Sequence, residues 1–143
     1  MTKIDLTIMN DRLEHTLERV REKKIIIPTL AQQKDPSLVP ADIQNRLKDI
    51  GLWDLHPLNL FRITWKNAPV ARGGGYGGVN YFEFPKSLTG VDARIVALEG
   101  KWFPCGVHKV GAAFGCLVPR LVTGQFDPTT QKAVWPSTGN YCR

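Results

Sequence analysis

The chain has no apolar run near the ~20 residues that cross a bilayer, and the isoleucines Ile25, Ile26 and Ile27 make far too short a stretch. Its first residues, Met1-Thr2-Lys3-Ile4-Asp5, lack both the basic and the apolar region of a signal peptide. A soluble, cytoplasmic protein without a membrane partner is therefore expected. Cysteine is scarce: Cys105, Cys116 and Cys142 form no CxxC pair and have no histidine at ligand spacing. That argues against a zinc site, and an odd number of thiols suits a reducing compartment. Acidic residues are also in short supply, 13 against 19 basic ones, for a formal net charge of +6. Such an excess invites a nucleic-acid reading. Much of it, however, sits in Arg19, Arg21, Lys23 and Lys24 at the end of an expected helix, where cations complement the helix dipole. No nucleic-acid partner is expected.

What is present is a globular composition, 43% hydrophobic and 22% charged in 143 residues. Residues 10–24 read as an amphipathic helix with Leu13, Leu17 and Val20 on one face, ended by the β-branched run and Pro28. A second helix is expected from about 40 to 50, with Pro40 near its first position, Ile43, Leu47 and Ile50 on one face and Gly51 as its stop. Residues 1–52 thus form a helical extension without evident chemistry, and residues 53–143 a second region.

From Trp53 the pattern changes. Residues 60–65, 81–84 and 94–98 suit strands, and 72–78 is a glycine-rich loop. Residues 107–122 are apolar and small, as in a buried helix that Pro119 should kink or end. Residues 132–135 suit a short buried strand. Strand, helix and strand in that order predict a βαβ unit, hence an α/β fold with a parallel sheet.

Two segments carry candidate chemistry. Lys109 opens the small-residue helix, where poor solvation would favour the neutral amine needed for a Schiff base, and Gly106, Gly111, Ala112 and Ala113 leave room for a flat group. Ser137-Thr138-Gly139-Asn140 follows the last strand, at the sheet edge where open α/β folds bind ligands. Two hydroxyls, a permissive glycine and an amide there suit a carboxylate and a ring oxygen, although Ser and Thr also serve as plain helix caps.

Together these segments resemble the fold-type II pyridoxal-phosphate enzymes, the tryptophan synthase β and cysteine synthase group. Pro104-Cys105-Gly106-Val107-His108-Lys109 is similar to that family's lysine motif, and the histidine before the lysine resembles tryptophan synthase β. Ser137-Thr138-Gly139-Asn140 is similar to its Ser/Thr-Gly-Asn loop, with Asn140 thirty-one positions after Lys109. Residues 93–100 resemble the strand before the lysine motif in cysteine synthases. Cys105 stands where the family has threonine, and Tyr141 where a smaller residue is common.

The resemblance implies a tryptophan synthase β-like parallel-sheet fold, of which residues 53–143 are the first part. It further implies a lyase or transferase of amino-acid metabolism acting by β-elimination or β-replacement, with pyridoxal 5'-phosphate as cofactor. Lys109 would hold that cofactor as a Schiff base, with His108 near its phosphate and Asn140 on its ring oxygen. Ser137, Thr138, Gly139 and Asn140 would bind the substrate carboxylate. The family's later phosphate loop and its partner for the ring nitrogen match nothing here. The glycines at 73–78 lie upstream of the lysine, against the family's order. The expectation is an N-terminal part of a longer, homodimeric enzyme, inactive by itself. The alternatives are a non-catalytic piece, one half of a split enzyme, or a basic nucleic-acid-binding module.

Overall fold

The computed structural model describes residues 5–69, 74–139 and 141. Five helices and two strands are present among them: α1 (Asn10–Glu22), α2 (Leu30–Lys34), α3 (Ala41–Leu47), β1 (Tyr81–Phe84), α4 (Lys86–Thr89), β2 (Ile95–Leu98) and α5 (Lys109–Val122), with short 3-10 turns between them. They divide into two compact units. One combines residues 1–26 with 109–143, and the other is the continuous stretch 27–108.

In the first unit, α1 packs against α5. Its apolar stripe is shifted from the expected one. Thr16 is buried at 2% exposure, Leu13 and Val20 are half-buried, and Leu17 is largely exposed. A threonine can take the buried position because its hydroxyl donates to the carbonyls of Arg12 and Phe126, which removes the cost of burying an unpaired polar group. The helix has no side-chain cap. Its start is fixed instead by the Met9 amide, which donates to the Thr123 carbonyl at 2.8 Å. At its end, Glu22 pairs with both Arg19 and Lys23.

The second unit holds the main hydrophobic cluster: Val39, Ile43 and Leu47 meet Leu58 and Phe61, with Ile50 and Tyr76 packed alongside. Full burial of such side chains contributes about 1.5–3 kcal/mol each. Capping residues set the local starts. Thr29 and Gln32 form a reciprocal capping box on α2, and Asp35 accepts from the amide and hydroxyl of Ser37.

Residues 60–65, expected as a strand, are not one: 60–62 end a 3-10 turn, Pro57–Arg62, and 63–65 follow it as irregular backbone and turn. Pro57 sets its first position, and His56 Nδ1 accepts from the Leu58 amide. Polar side chains then hold the segment as no ladder would. Asn59 Nδ2 donates to the Gly51 and Asp54 carbonyls, and the buried Arg62 guanidinium donates to the carbonyls of Leu47, Ile50 and Gly74.

The sheet also differs from expectation. The α/β class holds in coarse form, as helices plus a small sheet. Among the described residues, though, the sheet is a two-stranded antiparallel ribbon, with Tyr81 opposite Leu98 and Phe84 opposite Ile95. Residues 132–135 have no regular structure, and Val134 is 84% exposed. They have no partner strand there, and an isolated extended segment cannot satisfy its own amides and carbonyls. The expected βαβ unit is therefore not formed among these residues. No described helix is long and apolar enough to cross a membrane.

Candidate functional site

The helix α5 begins at Lys109, and Pro119 lies within it rather than ending it. Polar side chains bond to backbone carbonyls on either side of the proline. Arg120 donates to the Cys116 carbonyl, and the Thr123 hydroxyl donates to the carbonyls of Pro119 and Arg120. The helix is one-sided rather than buried throughout. Phe114 is buried and Leu117, Val118 and Leu121 are half-buried, while Lys109, Ala112, Gly115, Cys116 and Arg120 face outward. Those outward positions recur at three- and four-residue spacing, which puts them on one helix face.

Lys109 is consequently exposed, not placed in the solvent-poor setting expected of it. The apolar residues that follow it turn toward α1 and leave the amine in water. Among the described residues its amine makes no hydrogen bond or ion pair, and the first turn of α5 contains no acidic residue. The amine is thus uncommitted, and the next outward positions, Ala112 and Gly115, are small. A Cβ added at Gly115 would have nothing within 4 Å.

His108 ends the second unit and is described there. Its ring stacks on Trp65 at 5.6 Å and lies against Gly100, whose added Cβ would fall 3.2 Å from it. Trp65 in turn meets Phe103 edge-on at 4.9 Å. The motif between these residues turns sharply: Cys105 has φ +61 and Gly106 φ +68. The Cys105 amide donates to the Leu52 carbonyl at 2.9 Å, and its thiol is free.

Ser137, Thr138 and Gly139 are exposed. Ser137 Oγ donates to the Gly139 carbonyl and accepts from the Gly139 amide, closing a small turn, and open space surrounds the Cβ position of Gly139. Asn140 lies outside the described residues.

The loop and the helix are linked through the next residue. The Tyr141 hydroxyl donates to Cys116 Sγ at 3.3 Å. Cys116 lies seven positions after Lys109, nearly two full turns, so the two share a face about 10 Å apart along the axis. Sequence reasoning singled out Tyr141 only as a bulky neighbour and gave Cys116 no role. The seven-residue spacing from Lys109 is the one signal in the sequence that could have found Cys116.

The second unit offers a different candidate, a concavity of about 240 Å³ lined by Asn67, Tyr76, Gly77 and Asn80 among others. Most of its polar groups are committed internally, whereas the buried Asn67 Oδ1 has no hydrogen-bond partner among the described residues. Tyr76 donates to the Phe61 carbonyl, Asn80 Nδ2 to the carbonyls of Trp65 and Asn67, and Asn67 Nδ2 to those of Arg62, Thr64 and Trp102. Burial pushes the Tyr76 hydroxyl up to about 12, which suits a structural donor and not an acid or base. No group of three or more potential metal ligands occurs among the described residues. Compared with family models, curated proteins and solved structures, the chain matches none.

Proposed function

We propose that this chain belongs to a pyridoxal-phosphate-dependent enzyme of the tryptophan synthase β and cysteine synthase kind, acting on an amino acid by β-elimination or β-replacement. One observation supports this above the motifs themselves. The segment carrying Ser137, Thr138 and Gly139 is tied by Tyr141 to Cys116, on the helix face that Lys109 begins. Tyr141, two residues past the second motif, thereby reaches the helix that the lysine of the first motif begins.

The donor set suits the cofactor. Lys109 offers a primary amine without a partner among the described residues, beside small side chains. Ser137 and Thr138 offer hydroxyls next to a glycine with open space. When bound, the cofactor supplies an electron sink for charge developing at the substrate's α-carbon. The chain's own residues would do the rest. Lys109 Nζ would hold the group covalently, and its free amine would take the α-proton of the amino acid. The hydroxyls of Ser137 and Thr138, the Gly139 amide and the Asn140 side chain would orient the carboxylate and the ring oxygen. His108, the sequence neighbour of Lys109, would serve the cofactor's phosphate. A homodimeric assembly and a cytoplasmic setting belong to the same proposal.

Covalent labelling tests it. The protein is incubated with pyridoxal phosphate, reduced with borohydride and digested with trypsin. The pyridoxyl group should be concentrated on the peptide spanning Lys109 and disappear in Lys109→Arg. Preferential labelling at Lys101 or Lys132, or equal labelling of all lysines, would refute the assignment.

A further inference from the structure

We infer that Tyr141 and Cys116 form a latch that seats the Ser137–Gly139 turn along the Lys109 face of α5, which makes both of them positioning residues for the substrate's carboxylate. The carboxylate role rests on the proposed function; the latch itself rests on geometry alone. Tyr141 lies only two residues beyond Gly139, and two residues span at most about 7 Å. Wherever its hydroxyl is anchored, the turn must stay close by. The anchor is Cys116 Sγ, 3.3 Å away and exposed on the face that Lys109 opens.

Among the described residues Ser137 bonds to Gly139 within the turn, residues 132–134 before it are exposed and irregular, and Ser137, Thr138 and Gly139 are themselves exposed. Holding an exposed segment in one position costs conformational entropy. A side-chain tether at Tyr141 reduces that cost before a ligand arrives. Sulfur is a weak acceptor, and the bond is open to water, so the latch opens readily and does not bar entry. The intervening Ala112 and Gly115 keep the face between Lys109 and the latch low.

Three variants separate the possibilities: Tyr141→Phe removes the donor, Cys116→Ala removes the acceptor, and Cys116→Ser restores one. The first readout needs no cofactor. In nuclear magnetic resonance spectra the amide signals of Thr138, Gly139 and Tyr141 should move toward random-coil positions in Tyr141→Phe and Cys116→Ala, and return in Cys116→Ser. The second uses protein loaded with pyridoxal phosphate and titrated with L-serine by visible absorbance. Half-saturation should rise roughly three- to tenfold in the first two variants, the worth of one ordinary hydrogen bond, and recover in the third. Borohydride labelling at Lys109 should be unchanged in all three. Unmoved amide signals in both deletion variants would overturn the latch. Amide signals that respond while the wild type takes no label at Lys109 would leave the latch standing and overturn the proposed function. A response in the amides with no change in half-saturation would overturn the carboxylate role alone.

Discussion

A Cβ placed on Gly124 would lie 2.5 Å from the carbonyl oxygen of Met9 and 2.8 Å from the amide of Leu13. Gly124 also has φ +74, a conformation that costs an L residue about 1–2 kcal/mol. Neither obstacle yields by a side-chain rotation, since both contact atoms are backbone at the first turn of α1. Gly124→Ala should therefore destabilise the protein by about 2–4 kcal/mol, strain and clash together. Urea denaturation measures the loss. Hydrogen exchange should place it first in α1, because the Met9–Thr123 bond cannot survive the shift. A change below about 0.5 kcal/mol would mean that α1 docks elsewhere.

Arg62 supports a different claim. Its buried guanidinium serves three carbonyls, those of Leu47, Ile50 and Gly74, and pairs with no carboxylate among the described residues. The fork geometry matters more than the charge, so Arg62→Lys should not rescue. Both Arg62→Lys and Arg62→Ala should cost about 3 kcal/mol or more, because buried acceptors are left unpaired. Equal stability of the lysine variant and wild type would show that charge alone is used.

Tyr76 should stand apart in an alkaline titration. Burial raises Tyr76 to about 12. Because its folded value lies above the ordinary 10.0, its neutral form contributes stability below that value, and the contribution fades as pH rises toward 12. Ultraviolet absorbance should show one late tyrosinate, which disappears in Tyr76→Phe. Unfolding below that pH would release it early and at the ordinary value.

Asp127 sets the acid side. It accepts from the amide and hydroxyl of Thr129 and the hydroxyl of Thr130, and the Thr129 bonds above all hold its carboxyl below the usual 3.8. A depressed carboxylate stabilises the fold above its unfolded value and loses that effect as pH falls through the folded one. Wild-type stability should therefore drop as pH falls below about 4, and Asp127→Asn should be less stable at neutral pH with a shallower acid slope. Parallel pH profiles for the two proteins would rule this linkage out.

Where side chains act locally, the sequence was readable. Helices α1 and α3 follow from their apolar spacing, and the two strands of the ribbon from alternation and β-branched content. Two of the failures share a cause, which is a polar side chain reaching a distant backbone group. Thr16 displaced Leu17 from the buried stripe because Phe126 supplies an acceptor 110 residues away. Arg62 and Asn59 hold an apparent strand as a turn. At the candidate site, Lys109 and the Ser137–Gly139 turn were visible as motifs. Their link through Tyr141 and Cys116 was not, because it joins residues 25 positions apart.

The pairing of α1 with the end of α5 has a consequence during synthesis. Residues 27–108 are contiguous and can collapse as soon as they are made, whereas Thr16 must wait for Phe126, 110 residues later. At translation speeds of about 5–20 residues per second, that wait is roughly 5 to 20 seconds. For all of it α1 is an unpartnered amphipathic segment, and an isolated 13-residue helix is only marginally stable in water. Helix α1 is thus translated well before the segment that secures it, and it stays open to chaperones and proteases until the end of α5 has emerged.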